Sequence, residues 1–290
     1  MERPHPATLL LFLALACQSV NAGETCVGDT LTGHRYSVNL VPRQPATELY
    51  RTWAPLLERI GKQAGLCFDI TIPDGFPAFE HAMQAGKSDF IFLNPYHQLM
   101  AHDTPGYLPL IRDGHSRLAG ILVVHNDSPI HSIRQLEGKT VAFPAPNAYV
   151  ASLLLRAQLA KEGIDIRPEY VASHSNVMRA VALGAVEAGG VANTTLEHQP
   201  ASLKSHLRIL YQSPFYMPHP FSVHPRVVET DRKKVIEGFI SLTSDPVGRK
   251  MLADVQMTDP IKADYEDDYK ILESLGLERF IERPNLAETP

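Results

Sequence analysis

The sequence predicts an α/β protein whose two lobes enclose a ligand cleft. Short apolar runs of strand length alternate with amphipathic stretches of helical length, as in sheets covered by helices on both faces. The alternation stops at the turn-rich segment 125–129 and then starts again. A chain of 290 residues is long enough for two medium domains. Two consecutive α/β units in one chain therefore predict a cleft between two lobes.

The first unit contains five predicted strands and three predicted helices. Leu49, Trp53, Leu56, Leu57 and Ile60 recur at helical spacing, which predicts a helix over 47–64 and places the lone tryptophan in the core. Shorter helices are predicted over 78–85, where Gly86 ends the helix, and over 95–101, where Asn94 is the N-cap. The strands are predicted over 36–41, 68–72, 90–93, 108–112 and 120–124.

The second unit begins after the turn-rich segment. Strands are predicted over 140–143, 169–172, 188–192, 207–212 and 221–223, and helices over 149–162 and 176–183. The remainder, 231–280, has a mostly helical pattern and is assigned to the first lobe. We therefore predict a first lobe from 23–124 and 225–290 and a second lobe from 125–224, with chain crossings near Val124 and Val223.

The N-terminus has the pattern of an export signal. Arg3 precedes an apolar run over 9–16, which is shorter than the roughly 20 residues that span a bilayer. The small residues before Gly23 fit signal-peptidase cleavage after Ala22. We predict a signal peptide over 1–22 and a periplasmic mature protein. The alternative is a lipoprotein acylated at Cys17.

Cleavage leaves Cys26 and Cys67 in an oxidising compartment, where free thiols are disfavoured. Cys67 lies at the turn just before the second predicted strand and Cys26 precedes the first strand, so both are expected at one end of the same sheet. Neither cysteine has the neighbours of a catalytic thiolate. We predict a structural disulfide between them.

Charge and motifs exclude several classes of function. The net charge is −5 and the basic residues are scattered, which argues against nucleic acid or an anionic membrane surface as a partner. The sequence has no Gly-x-Ser-x-Gly motif, no phosphate-binding loop and no obvious pair of catalytic carboxylates. We expect neither an enzyme nor a cofactor.

Candidate ligand-binding residues lie where predicted strands lead into helices. Helices that follow the strands of an open α/β sheet present unpaired N–H groups and a partial positive charge at the carboxyl edge, where ligands bind. Five such junctions, at 40–47, 74–77, 93–97, 143–149 and 172–176, consist mainly of small, polar or aromatic residues. Their convergence predicts an anion site in the cleft.

The order of several motifs resembles that of the phosphate/phosphite/phosphonate-binding proteins of ABC importers, which have the type 2 periplasmic binding protein fold. The matching motifs are Trp53-Ala54-Pro55-Leu56, Gly86-Lys87-Ser88-Asp89-Phe90, Asn94-Pro95-Tyr96, Asp127-Ser128-Pro129-Ile130, Gln135-Leu136-Glu137-Gly138-Lys139, Pro146-Asn147, and His174 with Asn176. The resemblance covers roughly 38–248. It implies a periplasmic solute-binding protein that captures a small oxyanion for an ABC importer.

The same resemblance implies a set of ligand-binding residues. It places Phe76 and Tyr96 as cleft aromatics, the helix N-terminus 147–149 on the oxyanion, and His174 on the same group. Ala148 and Tyr149 stand where the family has serine and threonine, and His219 stands where an acidic residue would meet an amino group. The expected ligand is therefore a simple oxyanion. The full predicted set is Phe76, Asn94, Tyr96, Asn147, Ala148, Tyr149, His174 and His219.

Two other functions stay open from the sequence. One alternative is that the closed form docks onto the periplasmic domain of a membrane sensor histidine kinase. We expect a monomer with either partner. The chain has 13 histidines, so a transition-metal site is a further alternative, with candidate ligands His97, His174, His219, His224 and Met217. In the anion hypothesis, a bound anion raises the pKa of His174, so that the imidazole is protonated in the complex. Ligand affinity should then fall as the pH rises above about 7.

Overall fold

The computed structural model describes residues 26–282. The predicted signal peptide, its cleavage site and Cys17 lie outside this range. The described residues form twelve strands. In chain order they are β1 Val27–Gly28, β2 His34–Leu40, β3 Leu66–Thr71, β4 Phe90–Phe92, β5 Leu108–Asp113, β6 Gly120–His125, β7 Thr140–Phe143, β8 Arg167–Tyr170, β9 Ala188–Ala192, β10 Leu207–Gln212, β11 Phe221–Val223 and β12 Pro260–Lys262.

Ten α-helices connect these strands within the same range. They are α1 Ala46–Ala64, α2 Phe76–Gln84, α3 Pro95–Asp103, α4 Leu154–Lys161, α5 His174–Ala182, α6 Asn193–Glu197, α7 Ala201–Lys204, α8 Glu229–Ser241, α9 Pro246–Asp254 and α10 Tyr265–Asp268. A π-helical turn, Tyr149–Leu153, leads into α4, and short 3₁₀ turns cover Ile133–Leu136, Leu242–Ser244, Lys270–Leu275 and Leu277–Phe280. No described helix is long and apolar enough to cross a membrane.

The strands form two sheets, one in each lobe. The seven-stranded sheet of the first lobe has the order β1-β3-β2-β4-β11-β5-β12, and the five-stranded sheet of the second lobe has the order β10-β6-β9-β7-β8. The parallel pairs are β3-β2-β4 in the first sheet and β9-β7-β8 in the second, where β8 is an edge strand. The prediction of a two-lobed α/β protein is confirmed.

The predicted lobe boundaries at 124 and 224 are wrong for two strands. β6 pairs with β9 and β10 and so belongs to the second lobe, whereas β11 pairs with β4 and β5 and belongs to the first. The chain therefore crosses between the lobes at 114–119 and returns at 213–220. The crossings pair with each other through Leu118 and Tyr216, whose N–H and C=O groups exchange hydrogen bonds of 2.8 Å.

Apolar side chains from helices cover each sheet. The predicted stripe of α1 is fully buried, and Trp53 packs in the first-lobe core with ring centroids 4.6 Å from Phe92 and 5.8 Å from Phe221. The second sheet is covered on both faces. A further apolar cluster joins Tyr96 of α3 to Tyr149 of the second lobe and to Tyr269, so it connects the two lobes.

The predicted disulfide is confirmed. Cys26 and Cys67 are bonded, with a Cα–Cα distance of 5.6 Å and a sequence separation of 41. Cys67 lies at the start of β3, at the edge of the sheet opposite the carboxyl ends of the parallel strands. The bond therefore ties the N-terminal segment to the first lobe away from the cleft.

Candidate functional site

A cavity of about 100 Å³ lies between the lobes, at the carboxyl ends of the central strands of both sheets. We call it the inner cavity. Its wall holds six of the eight predicted site residues: Phe76, Asn94, Ala148, Tyr149, His174 and His219. The other lining residues are Val41, Arg43, Gln44, Val150, Ala151, Ala192, Thr194, Thr195, His198, Gln199 and Gln256. None of the described residues that line the inner cavity is an aspartate or glutamate.

Arg43 is the single Lys or Arg among these lining residues. It follows β2, and its guanidinium lies 5.1 Å from the centroid of the Phe92 ring. Nη1 donates to Gln256 Oε1 at 2.9 Å, whereas Nε is buried without an acceptor. The arginine ion pairs formed within residues 26–282 do not include Arg43. Arg43 is therefore a cation without a carboxylate within ion-pair distance among the described residues, although the negative charge of Glu48 acts on it more weakly than burial does.

Burial lowers the pKa of Arg43 from its usual 12.5 to about 10, so the group stays positive at neutral pH. An unpaired, partly buried cation is unfavourable unless a negative charge comes close to it. Since the described wall supplies no carboxylate, the missing negative charge is one that a ligand can bring.

The backbone of residues 149–151, which we call the donor turn, supplies further hydrogen-bond donors. These residues begin the π-helical turn before α4, and no hydrogen bond of the described chain uses their N–H groups. The first bond of the turn is from Ser152 N to Ala148 O at 2.8 Å. Unpaired N–H groups at a helix N-terminus carry a partial positive charge, which favours an anion.

Two glycines hold the donor turn against the second sheet. A Cβ atom on Gly120 of β6 would lie 2.1 Å from Val150 O, and one on Gly190 of β9 would lie 2.2 Å from Ala151 O. The carbonyl groups of the turn therefore point at the sheet. Because the N–H groups of a helical turn point the opposite way, this close approach directs the N–H groups toward the cavity.

The phenol of Tyr149 is a further unsatisfied group. The residue is 3% exposed, and its Oη is buried without a partner. Burial raises the pKa of the phenol well above 10, with a smaller contribution from Tyr216, so the hydroxyl keeps its proton and can donate it. A buried hydroxyl without a hydrogen-bond partner destabilises the protein. A ligand atom that accepts its hydrogen bond would remove this destabilisation.

His174 and His219 are neutral, partly buried side chains of the wall. Burial and the charge of Arg43 lower the pKa of His174 to about 4, and the same two causes, followed by His97 and His174, lower the pKa of His219 well below 6.5. Ala192 N donates to His174 Nδ1 at 3.5 Å, which leaves the proton on Nε2. His219 stacks on Phe92 with a centroid distance of 5.5 Å. Both rings are thus neutral at pH 7.

The sequence-based prediction of a charged imidazole concerns the ligand-bound protein and stays a prediction. The junction motif identified the position of the ring, but it did not reveal the adjacent Arg43. Because a nearby positive charge and burial both oppose protonation, the unliganded ring is uncharged. It can contribute a neutral N–H donor.

Asn94, Thr194 and Thr195 add polar groups to the wall. Asn94 Oδ1 accepts from His97 N at 2.7 Å, and its Nδ2 has no hydrogen-bond partner in residues 26–282. The two threonines follow β9, and the predicted set did not include them. The prediction also omitted Arg43, which lies inside the predicted junction 40–47, and Gln44, His198, Gln199 and Gln256. The strand-to-helix step after 188–192 was the available signal for the threonines.

Two predicted residues lie outside the wall of the inner cavity. Tyr96 is 4% exposed and packs in the apolar cluster between the lobes. Asn147 uses its amide fully within the protein: Nδ2 donates to Glu80 Oε2 at 3.0 Å and to Glu282 O at 2.9 Å, and Oδ1 accepts from Glu282 N at 3.1 Å. These contacts leave neither side chain directed at a ligand in the inner cavity.

The inner cavity adjoins a wider space of about 670 Å³, which we call the outer cleft. Arg43, Gln44, His174, Thr195, His198 and Gln199 line both spaces. A ligand that enters through the outer cleft therefore passes these six shared residues before it reaches the donor turn.

The histidines of the described part of the chain do not form a metal centre with other residues there. No group of three or more His, Cys, Asp or Glu side chains within residues 26–282 is arranged to hold a metal ion. His174 and His219 both line the inner cavity, but the wall adds only a third histidine, His198, and no carboxylate or thiolate.

Comparison with solved structures shows the fold. A binding protein component of an ABC phosphonate transporter from Pseudomonas aeruginosa aligns over 86% of this chain and 88% of its own, with 18% identity and a TM-score of 0.75. PhnD1 from Prochlorococcus marinus, in complex with methylphosphonate, aligns over 84% and 98%, with 17% identity and a TM-score of 0.74. XAC2383 from Xanthomonas citri, bound to chloride, aligns over 85% and 98%, with 20% identity and a TM-score of 0.72.

A family model described as "ABC transporter, phosphonate, periplasmic substrate-binding protein" matches residues 38–269. This match covers most of the chain and agrees with the two-lobed fold and the cavity between the lobes. The family consists of binding proteins, so the expectation of a function other than catalysis is confirmed. The chain belongs to the family of periplasmic substrate-binding proteins of ABC phosphonate transporters.

Proposed function

We propose that this protein binds a small phosphonate-type oxyanion that carries no amino group, in the inner cavity. The observation that carries the proposal is the composition of the wall: an unpaired arginine, unpaired N–H groups and neutral side-chain donors, with no carboxylate. An oxyanion supplies acceptors for these groups and the negative charge that Arg43 lacks. PhnD1, the structural relative in complex with methylphosphonate, supports a ligand of this class.

The residues with the closest relation to the ligand have distinct roles in this proposal. Arg43 provides the charge, residues 149–151 donate backbone N–H groups, and Tyr149 Oη and His174 Nε2 donate from side chains. Phe76 and the small residues Ala148 and Ala192 provide the apolar part of the wall. They suit a hydrogen or a short alkyl group on phosphorus.

The absence of a carboxylate from the described wall predicts selectivity against aminoalkylphosphonates. An ammonium group in the inner cavity would have no anionic partner and would lie near Arg43. Because an unpaired buried ammonium costs several kcal/mol, we expect 2-aminoethylphosphonate to bind at least about a hundredfold more weakly than methylphosphonate.

Isothermal titration with methylphosphonate, phosphite, phosphate and 2-aminoethylphosphonate tests this selectivity. Before titration, the protein is unfolded in denaturant and refolded in phosphate-free buffer. This step removes any ligand that was carried through purification. Tightest binding of the aminoalkyl compound would contradict the proposed class. Absence of binding by all four anions would contradict the oxyanion site itself.

The proposed partner is the permease of an ABC importer. Family membership favours this partner over a sensor histidine kinase, the alternative left open by the sequence. We further propose a monomer, because a single chain contains both lobes and the cleft between them. Light scattering of the purified protein tests the monomer. Transport of methylphosphonate by cells that hold or lack this protein tests the importer.

We also propose that the signal peptide is removed after Ala22. Arg3, the apolar run over 9–16 and the small residues before Gly23 support this cleavage site. Intact-mass analysis of the exported protein should give a chain that begins at Gly23. A lipid-modified chain that begins at Cys17 would establish the lipoprotein alternative.

A further inference from the structure

Asn147 connects three parts of the chain that are distant in sequence. It lies in the second lobe, two residues before the donor turn. Its Nδ2 donates to Glu80 on α2 of the first lobe, and its Nδ2 and Oδ1 both bond the backbone of Glu282 in the C-terminal segment, residues 270–282. The contact between Glu80 and Asn147 therefore crosses the cleft.

Glu80 is held firmly on the first-lobe side of this contact. The residue is 4% exposed, and its Oε1 lies 3.0 Å from Nε2 of the fully buried His97. The His97 ring packs against Phe76 and Phe79, with centroid distances of 5.8 and 5.2 Å. The carboxylate thus has one oxygen fixed within the first lobe and the other directed across the cleft.

The C-terminal segment fixes the second-lobe side. Arg156 on α4 donates through Nη2 to Phe280 O at 2.6 Å and to Pro146 O at 2.8 Å. Tyr170 Oη donates to Glu282 Oε1 at 2.5 Å. Leu272 and Leu277 of the same segment are buried in the apolar cluster that contains Tyr96 of the first lobe. The segment therefore spans from the first lobe to the residues next to the donor turn.

The contact lies in the cleft and not at the crossings between the lobes. Glu80, Asn147 and Glu282 line an interlobe cavity of about 360 Å³, whose wall also contains Phe76. Since Phe76 lines the inner cavity too, the two cavities are neighbours. Separation of the lobes at this point would part Glu80 from Asn147 while each keeps its contacts within its own lobe.

We propose that Glu80 stabilises the closed cleft through Asn147 and so positions the donor turn for its ligand. In the closed form, Glu80 and the backbone of Glu282 hold Asn147 from both sides, and Asn147 holds the turn that follows it. In the open form, the contact with Glu80 is lost. Closure and placement of the donor turn are thereby coupled, and the coupling to affinity rests on the proposed function.

A double-mutant cycle with Glu80→Ala, Asn147→Ala and the double variant tests the contact. Small-angle X-ray scattering of the ligand-free protein reports the radius of gyration, and titration with methylphosphonate reports affinity. A hydrogen bond to a charged group shifts an equilibrium by roughly tenfold to a hundredfold, so each single variant should lower the ratio of closed to open protein by that factor. Affinity should fall by at most the same factor, because only the closed fraction binds.

We expect a larger radius of gyration for each single variant and no further increase for the double variant, because both changes remove one contact. Glu80→Met and Asn147→Leu, which keep similar side-chain sizes and cannot form the hydrogen bond, repeat the test if the alanine variants fail to fold. Ser222→Ala is the matched control, since Ser222 Oγ donates to Gln98 Oε1 at 2.6 Å within the first lobe. The control should leave both measurements unchanged.

An unchanged radius of gyration in both single variants overturns the proposal. Additive increases in the double variant overturn it as well, because they would show that the two residues act through different contacts. If the parent protein binds none of the oxyanions, the proposed function fails, while the scattering of the ligand-free variants still decides whether Glu80 holds the cleft.

Discussion

Replacement of Arg43 by methionine separates the contribution of charge to ligand binding from its contribution to folding. Methionine keeps much of the side-chain length and removes the one Lys or Arg of the described cavity wall. Opposite charges 4 Å apart attract by about 4 kcal/mol at an effective dielectric constant of 20, before the cost of desolvation. Hydrogen bonds to charged groups contribute about 1.5–3 kcal/mol net. We therefore expect Arg43→Met to weaken methylphosphonate binding by about tenfold to a hundredfold.

The same substitution should not destabilise the unliganded fold. Arg43 has no carboxylate partner within residues 26–282, and its Nε is buried without an acceptor. Removing a charge that is partly buried and unpaired costs no ion pair and relieves desolvation. We expect the melting temperature of ligand-free Arg43→Met to equal or exceed that of the parent protein.

Two further variants serve as controls for charge and position. Arg43→Lys keeps the charge but loses the planar fork of donors, so its affinity should lie between those of the parent and Arg43→Met. Arg59→Met removes an arginine that pairs with Asp245, with Nη1 3.2 Å from Oδ1, on the α1–α9 surface. It should leave binding unchanged. Titration calorimetry and thermal melting measure both effects, and an Arg43→Met protein that binds within about threefold of the parent would refute the assignment of Arg43 to the site.

Three other predictions concern His174, the disulfide and Gly190. The folded-state pKa of His174, about 4, lies below its ordinary 6.5, so its contribution to stability is fully present above about pH 6.5 and is lost as the pH falls toward 4. Parent protein should lose about 2 kcal/mol more than His174→Gln between pH 7 and pH 5, and equal losses in thermal melts would contradict this. Replacing Cys26 and Cys67 by serine should lower the free energy of unfolding, measured by denaturant titration, by up to about 4 kcal/mol, given a separation of 41 residues. The same change should leave the ligand affinity, measured by calorimetry, unchanged. Gly190→Ala places a Cβ atom 2.2 Å from Ala151 O and should weaken methylphosphonate binding more than about tenfold, whereas Gly184→Ala, with open space around its Cβ, should lower only the melting temperature.

The fold could be predicted because its elements have strong local patterns. The apolar stripe of α1 has helical spacing, and the central strands are short apolar runs that turn residues separate. The lobe boundaries could not be read in this way. β6 and β11 are mostly apolar and buried, so their sequences do not show which sheet they join, and pairing with β9 and β4 is a long-range choice.

The site could be predicted only where a strand-to-helix junction fixed the backbone. Ala148, Tyr149 and His174 line the cavity because their elements end and begin at its edge. Tyr96 and Asn147 lie at similar junctions, but the apolar cluster and Glu282 occupy their side chains. Contacts with the C-terminal segment explain why Tyr96 and Asn147 both lie outside the cavity wall. The sequence around positions 96 and 147 does not indicate contacts with residues more than 100 positions away.

Burial and the charge of Arg43 together explain why His174 and His219 are neutral. Burial is the larger cause of their lowered pKa values and the charge of Arg43 is the second, so a second positive charge does not form beside the first. The Tyr149 phenol also keeps its proton, because burial opposes its ionised form. The wall thus places the charged Arg43 beside three neutral side chains, His174, His219 and Tyr149. Since the free site leaves Arg43 Nε and Tyr149 Oη without partners, an oxyanion can satisfy groups that are already desolvated, and the neutral donors add directional contacts without adding charge.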